Sequence, residues 1–451
     1  MDAHWQNGSR TLRRLRVRRG WSWTDLALEL RSQARTYRIA RIAMAQIPNI
    51  RRTIARWEAG RTVPDEQYQY LLALAYARSP LGTVEVGPGS DFQELLEVFS
   101  LHGIAPGRIE ELTNCVVNAV ADPAMGFLLF LGPGQRAELA AALAAPESVE
   151  LGALEALASA SDSVNQRIGS VPFVRLHLAQ AAVVDACRRL LRGEQPSSVR
   201  ARLRQVAADA CALAARLAFE MHDDATALAL YEDAVNTVGA AEMSRRALIR
   251  SSQTMVVYYS TGDVGRATRN VDAAVRDAQS GDSVLVRARA HALQAEMAAR
   301  GQPVMHRRAR AALRLARHVL DADTTGDPMN AAFCKGRLRG FEGVCGIFLG
   351  EADAAERQLA RSAAVLTSRR ESVQRAIVLT DRAIARLRIG GPGAPEAAAA
   401  LLHECVDLTA RTRGRVPAIR LRRARRELGP WRGEPFVDEL DDHIHAALIG
   451  T

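Results

Sequence analysis

The segment Ile50-Arg-Arg-Thr-Ile-Ala-Arg-Trp57-Glu58-Ala-Gly60 decides how the first domain is read. Ile50, Ile54 and Trp57 stand at i, i+4 and i+7, which gives a short helix one apolar stripe. Arg51, Arg52, Ala55 and Arg56 share another face, basic and free of bulky apolar groups. Gly60 falls just past the helix end and Pro64 follows the turn. A short helix with a packed back and an arginine-rich front has the form that enters a DNA major groove.

Three further helices surround this one in the sequence. Leu12 and Leu15 mark a first helix that ends at Gly20. Ser22-Trp-Thr-Asp25 has the form of a capping box and opens a second, with Leu26, Ala27 and Leu30 turned inward. Asn49 is the expected N-cap of the third helix. Pro64-Asp-Glu-Gln-Tyr68 starts a fourth, carrying Leu71, Leu72, Leu74 and Ala75. Between the second and third lies a long segment, residues 31–47, in which Arg31, Arg35, Arg38 and Arg41 recur at helical spacing. It is either an extension of the second helix that tracks phosphates or a solvated face of an arginine-rich chain. Residues 79–90, with Pro80, Gly82, Gly87, Pro88 and Gly89, read as a linker.

Composition sets the wider frame. The chain has 451 residues, room for two or three domains. Aromatic residues make up only 5%, and alanine and leucine abound, which favours helix over sheet. No apolar run approaches the roughly 20 residues that span a bilayer, and no N-terminal apolar stretch forms a signal peptide, so a cytoplasmic location is expected. The six cysteines are scattered among alanine, valine and leucine without a Cys-x-x-Cys pair, as expected of small buried hydrophobes. Lys335 is the only lysine, so almost all positive charge is arginine. Of the net +10, residues 1–80 hold fifteen arginines against six acids. An arginine-rich genome alone would not place the excess in one small domain, which marks it as the part that meets a polyanion.

Beyond residue 90 the pattern is amphipathic helix separated by short turns. From Ser197 a repeat emerges, with turn-like tripeptides beginning at His222, Gly262, Gly301, Gly350 and Gly390, spaced 39 to 49 residues apart. In three of them an alanine follows five residues later, at Ala227, Ala267 and Ala355. Small residues there let two antiparallel helices approach closely, and stacked helix pairs build a solenoid.

Residues 10–77 resemble the DNA-binding domain of the Cro/phage-repressor type, the xenobiotic-response-element family. The resemblance rests on Leu12-Arg-Arg-Leu15, Gly20-Trp-Ser22, Leu26-Ala27, Ile54-Ala-Arg-Trp57-Glu58-Ala-Gly60, Pro64 and the Tyr68/Leu71/Leu72 helix. Residues 197–410 resemble tetratricopeptide-like helical repeats. The pairing is similar to that of actinobacterial regulators with such a head and a helical-repeat body, which implies transcriptional control. Two departures stand out. The family's second helix usually starts Ser-Gln, with the glutamine on the DNA backbone, whereas Trp23 stands here. The tight turn before the third helix is also replaced by residues 31–47.

The expected fold is therefore all-α: a small helix-turn-helix domain (1–78), a linker (79–90), a connecting helical region (91–196) and a tetratricopeptide-like solenoid (197–451). The expected partner is double-stranded DNA, bound by a homodimer on a pseudo-palindromic site, because one small head offers limited contact area. Arg51 and Arg52 are placed to read base edges, each discriminating by about 1–3 kcal/mol. Asn49, Thr53, Arg56, Ser22, Thr24, Arg35 and Arg38 complete the candidate contact set. In the repeats, Asn236, Tyr258, Tyr259 and Asn270 are candidates to bind a peptide or small-molecule effector, or else ordinary packing and surface positions. The alternative overall is a protein-interaction scaffold whose head binds DNA weakly. No enzyme, cofactor or metal is expected. The chain lacks a Gly-x-x-x-x-Gly-Lys loop and a His-Glu-x-x-His pair. Asp441-Asp442-His443-Ile-His445 holds neighbours that do not converge on a helix, and the adjacent His403-Glu404-Cys405 cannot form a catalytic line.

Overall fold

Good helix formers with few β-branched or aromatic interruptions turn this sequence into helix almost throughout. The computed structural model describes residues 3–37, 39–79, 84–121, 133–168, 173–239, 242–330, 333–368, 371–412 and 414–448. Among these residues the chain is all-α, with twenty-two α-helices, no strand and one isolated bridge between Arg78 and Val84. No helix among them is long and apolar enough to cross a membrane. Two compact units result, residues 1–160 with 177–195, and residues 161–176 with 196–451.

The first unit opens with α1 (Ala3–Arg18), α2 (Trp23–Thr36), α3 (Ala40–Ala43), α4 (Ile47–Glu58) and α5 (Glu66–Tyr76). There follow α6 (Asp91–Leu101), α7 (Pro106–Ala121) and α8 (Pro133–Ala144), while α9 (Leu151–Gln166) and α10 (Phe173–Leu190) are divided between the units. Leu12, Leu15, Leu26, Leu30, Ile50, Ile54 and Leu71 are buried to within 1% of completely, as their helical spacing requires. Trp57 meets Tyr68 edge-on, ring centroids 4.8 Å apart. Burying each such side chain contributes about 1.5–3 kcal/mol. The capping box at Ser22 is formed in full. Its hydroxyl accepts from the Asp25 N–H at 3.1 Å, and the Asp25 carboxylate accepts from the Ser22 N–H at 2.8 Å.

Three local expectations are corrected. The quoted segment belongs to a helix that starts earlier, at Ile47, with Gln46 as N-cap and Pro48 in the first turn. Proline's fixed φ pre-organises that turn, so Asn49 lies inside the helix and is not its cap. Residues 31–47 are not an extended α2. The helix stops at Thr36, and Ile39 and Ile42, each 1% exposed, draw the chain back to the core around the single turn of α3. Finally, the first unit extends past the expected head, because α6 packs against α1. Arg18 pairs with Glu94 at 2.7 Å and Arg19 with Asp91 at 2.5 Å, and Arg14 also reaches Glu94. Arg19 further donates to the Ala75 and Tyr76 carbonyls at 2.9 and 3.2 Å, closing the end of α5.

The second unit is a stack of antiparallel helix pairs. These are α11 (Ser197–Glu220) with α12 (Asp224–Thr237), α13 (Met243–Thr261) with α14 (Val264–Gln279), and α15 (Val284–Arg300) with α16 (His306–Leu320). They continue as α17 (Lys335–Leu349) with α18 (Ala352–Val365) and α19 (Ser372–Ile389) with α20 (Ala394–Thr412). Ala227, Ala267 and Ala355, the small residues picked out by the repeat, are buried at 0, 0 and 1% exposure. The α17 to α18 turn needs Gly350 at φ +80°, a left-handed helix end that side chains resist. Beyond the pairs, α21 (Arg415–Glu427) packs on α19 and α20 and reaches back to α11, and α22 (Pro435–Leu448) lies on α20. Cys187, Cys211, Cys345 and Cys405 are buried as expected, whereas Cys334 is exposed at the start of α17.

Candidate nucleic-acid interface

The back of α4 is fixed before its front can be considered. Glu58, at the end of α4, accepts from Arg16 Nε at 2.6 Å, from Arg16 Nη2 at 2.7 Å and from Trp23 Nε1 at 2.9 Å. Arg16 also donates to the Trp21 carbonyl at 2.7 Å. The bond to Glu58 holds the Arg16 guanidinium protonated even more firmly than usual. One carboxylate thus ties α4 to α1 and to the start of α2. Gly60, at φ +68°, turns the chain immediately afterwards.

The front of α4 then presents exposed Gln46, Pro48, Asn49, Arg51, Arg52 and Arg56, with Thr53 half-buried between them. The Arg51 and Arg56 side chains form neither hydrogen bond nor ion pair among the described residues. Arg52 donates to the Asn49 amide oxygen, and Thr53 donates to the Asn49 carbonyl at 3.0 Å. Glu58, the acid of α4, is turned to the back, so the front carries positive charge alone. This surface suits polyanion contact, with forked donors free for acceptor pairs.

The remaining candidates scatter. Ser22 is exposed, but its hydroxyl is engaged as the cap of α2. Thr24 is half-buried and Arg35 exposed on α2, while Arg38 lies outside the described residues. Arg41, from the same arginine series, bonds Gln67 at 2.6 Å and Asp65 at 2.7 Å, so it braces α5. Trp23, the departure from the family pattern, anchors α4 through Glu58. The exposed Gln46 and Pro48 were missed from the sequence, although a proline in a helix's first turn is a usable signal. Charge is also distributed more sharply than the first 80 residues suggest: residues 81–160 hold eleven acids and two arginines.

In the second unit the four effector candidates do not form one site. Asn270 donates to the Arg250 carbonyl at 3.0 Å and the Thr254 hydroxyl at 2.9 Å, tying α14 to α13. Asn236 is exposed on α12. Tyr258 and Tyr259 do come together, ring centroids 5.0 Å apart, and both are half-buried beside Arg420 and Arg423 of α21. Arg420 Nε donates to the Tyr259 hydroxyl at 2.6 Å, and Arg300 donates to that of Tyr258 at 3.2 Å. Burial raises the Tyr259 hydroxyl above its ordinary range. Arg420 also bonds Asp381 and Glu296, and the Arg415 N–H donates to Glu220 at 2.7 Å. The return of α21 to the earliest pairs had no signal in the repeat pattern beyond its run of arginines.

Near the C-terminus, His443 is hydrogen-bonded to His403 at 2.8 Å and to Asp407 at 3.1 Å, and Arg425 holds Asp441. No group of three or more His, Cys, Asp or Glu among the described residues is arranged to hold a metal. Compared with known protein families, with curated proteins and with solved structures, the chain finds no match.

Proposed function

We propose that the chain is a sequence-specific DNA-binding regulator of transcription that acts as a homodimer, with α4 as the element entering the major groove. The observation that carries this is the front of α4: three exposed arginines with no carboxylate among them, on a helix whose back is buried and ion-paired. Arg51 and Arg52 lie in its first half and meet base edges, Asn49 and Arg56 meet phosphate, and Thr53 sits between. The test is fluorescence anisotropy with a DNA site selected from a random library, against scrambled duplex. Arg51→Ala and Arg52→Ala each lower site preference by about 1–3 kcal/mol without changing the thermal midpoint, since both side chains are exposed. Equal preference in wild type and both variants refutes the assignment.

A second reading, an interaction scaffold with a weakly DNA-binding head, is favoured by the acidic balance of residues 81–160 in the same unit. That charge opposes the long-range attraction of the head for DNA. Titration across salt concentrations separates the two. A regulator keeps its preference over scrambled DNA as salt rises, whereas the scaffold shows only sequence-blind, steeply salt-dependent binding.

A further inference from the structure

A cavity of about 200 Å³ lies within the second unit, lined by side chains of α13, α15, α17, α19 and α21. Much of its wall is apolar, with Met255, Leu293, Phe341, Val344, Ile377 and Val378. Five charged side chains also line it: Arg289, Arg337, Arg420, Glu296 and Asp381. Both carboxylates are already paired. Asp381 pairs with Arg420, and Glu296 pairs with Arg300 at 2.8 Å and Arg420 at 3.3 Å. Arg289 donates to the Ser252 hydroxyl at 3.1 Å, and Arg337 has no hydrogen bond or ion pair among the described residues.

Two guanidinium groups therefore share an apolar-walled hollow whose own carboxylates are already taken. Burial, and after it the neighbouring charge of Arg337, pull Arg289 down to about 10. The Arg337 side chain brings a second positive charge beside Arg289 with no acid of its own among the described residues, and an anion at this wall offsets the two like charges. The anion is more than a bare ion, because most of the lining offers only dispersion contacts. A cavity of roughly 150 Å³ with wholly apolar walls accommodates benzene, which sets the scale for the apolar part of this one. A dianion is disfavoured, since Glu296 and Asp381 stand in the same wall.

We propose that this cavity binds a small organic monocarboxylate with a body about the size of a substituted benzene ring. Its carboxylate is held by Arg289 and Arg337, and its body lies against Met255, Leu293 and Phe341. The site is independent of α4 and of DNA, so its test is run without DNA.

The experiment is isothermal titration of the full chain with benzoate, phenylacetate and phenylpropionate, with their neutral amides and with inorganic phosphate. At least one acid binds more than tenfold tighter than its amide, and phosphate binds more weakly than that acid. Arg337 is half-buried, so Arg337→Met keeps the thermal midpoint while removing the acid's advantage over the amide, and Arg337→Lys restores part of it. Losing one charged hydrogen-bond partner corresponds to roughly tenfold or more in affinity. Four results overturn the proposal: no acid binding into the millimolar range, equal binding of acid and amide, tighter binding of phosphate, or unchanged acid affinity in Arg337→Met.

Discussion

Glu58→Ala removes the carboxylate that holds α4 against α1 and α2. Three hydrogen bonds disappear, two from Arg16 at 2.6 and 2.7 Å and one from Trp23 at 2.9 Å. The two charged side chains are 9% and 3% exposed, so water does not replace what is lost. Truncating one partner of a buried pair costs about 3–5 kcal/mol. Arg16 keeps its bond to the Trp21 carbonyl and its place over the Trp23 ring, which sets the expectation near the lower end, about 3 kcal/mol. With a urea slope of about 1–3 kcal/mol/M, the midpoint falls by roughly 1–3 M. Tryptophan fluorescence is the suitable probe, because Trp5, Trp21, Trp23 and Trp57 all lie in the first unit. The double variant Arg16→Met with Glu58→Leu recovers most of the loss, since no buried charge is then stranded. A Glu58→Ala midpoint indistinguishable from wild type, or a double variant no better than the single, refutes the assignment of α4's position to this pair.

Other expectations follow from packing and titration. A Cβ on Gly343 would collide with the Leu359 side chain across the α17–α18 contact. Gly343→Ala therefore lowers stability by about 1–3 kcal/mol, read as a fall in the thermal midpoint, because a packed interface cannot admit an added methyl. Gly87→Ala, where a Cβ meets nothing within 4 Å, is the control and shifts it little. Burial lowers His102 from 6.5 to about 4, so the unfolded chain takes up the proton first as pH falls. The stability from neutral His102 is full above its unfolded value, declines as pH drops through the window from 6.5 to about 4, and levels off below. Thermal melts across that window detect the decline, and His102→Asn flattens it.

Much of the head was legible because its signals are local. The stripe of Ile50, Ile54 and Trp57, the capping box at Ser22 and the turn at Gly60 each depend on residues within one or two helical turns. The repeat turns and their buried alanines were legible for the same reason, as each pair of helices repeats one short pattern. The start of α4 was misjudged because Asn49, a good cap by type, follows a proline that already lies in the helix's first turn. The arginine series over residues 31–47 looked like one helix face, yet Ile39 and Ile42 found more stabilisation in the core than an extended α2 offers.

The sequence by itself determined the all-α class, the helix stripes and the basic front of α4, since helical periodicity records which side of each helix is buried. Tertiary structure alone decided which partner each charge meets. Arg16 and Glu58 are 42 residues apart, Arg415 and Glu220 are 195 apart, and the walls of the carboxylate cavity run from Ser251 to Arg420. A charged side chain is equally compatible with solvent, an ion pair or a ligand until the fold sets its surroundings. Burial and distance then fix the electrostatic outcome, and neither is written in a local pattern.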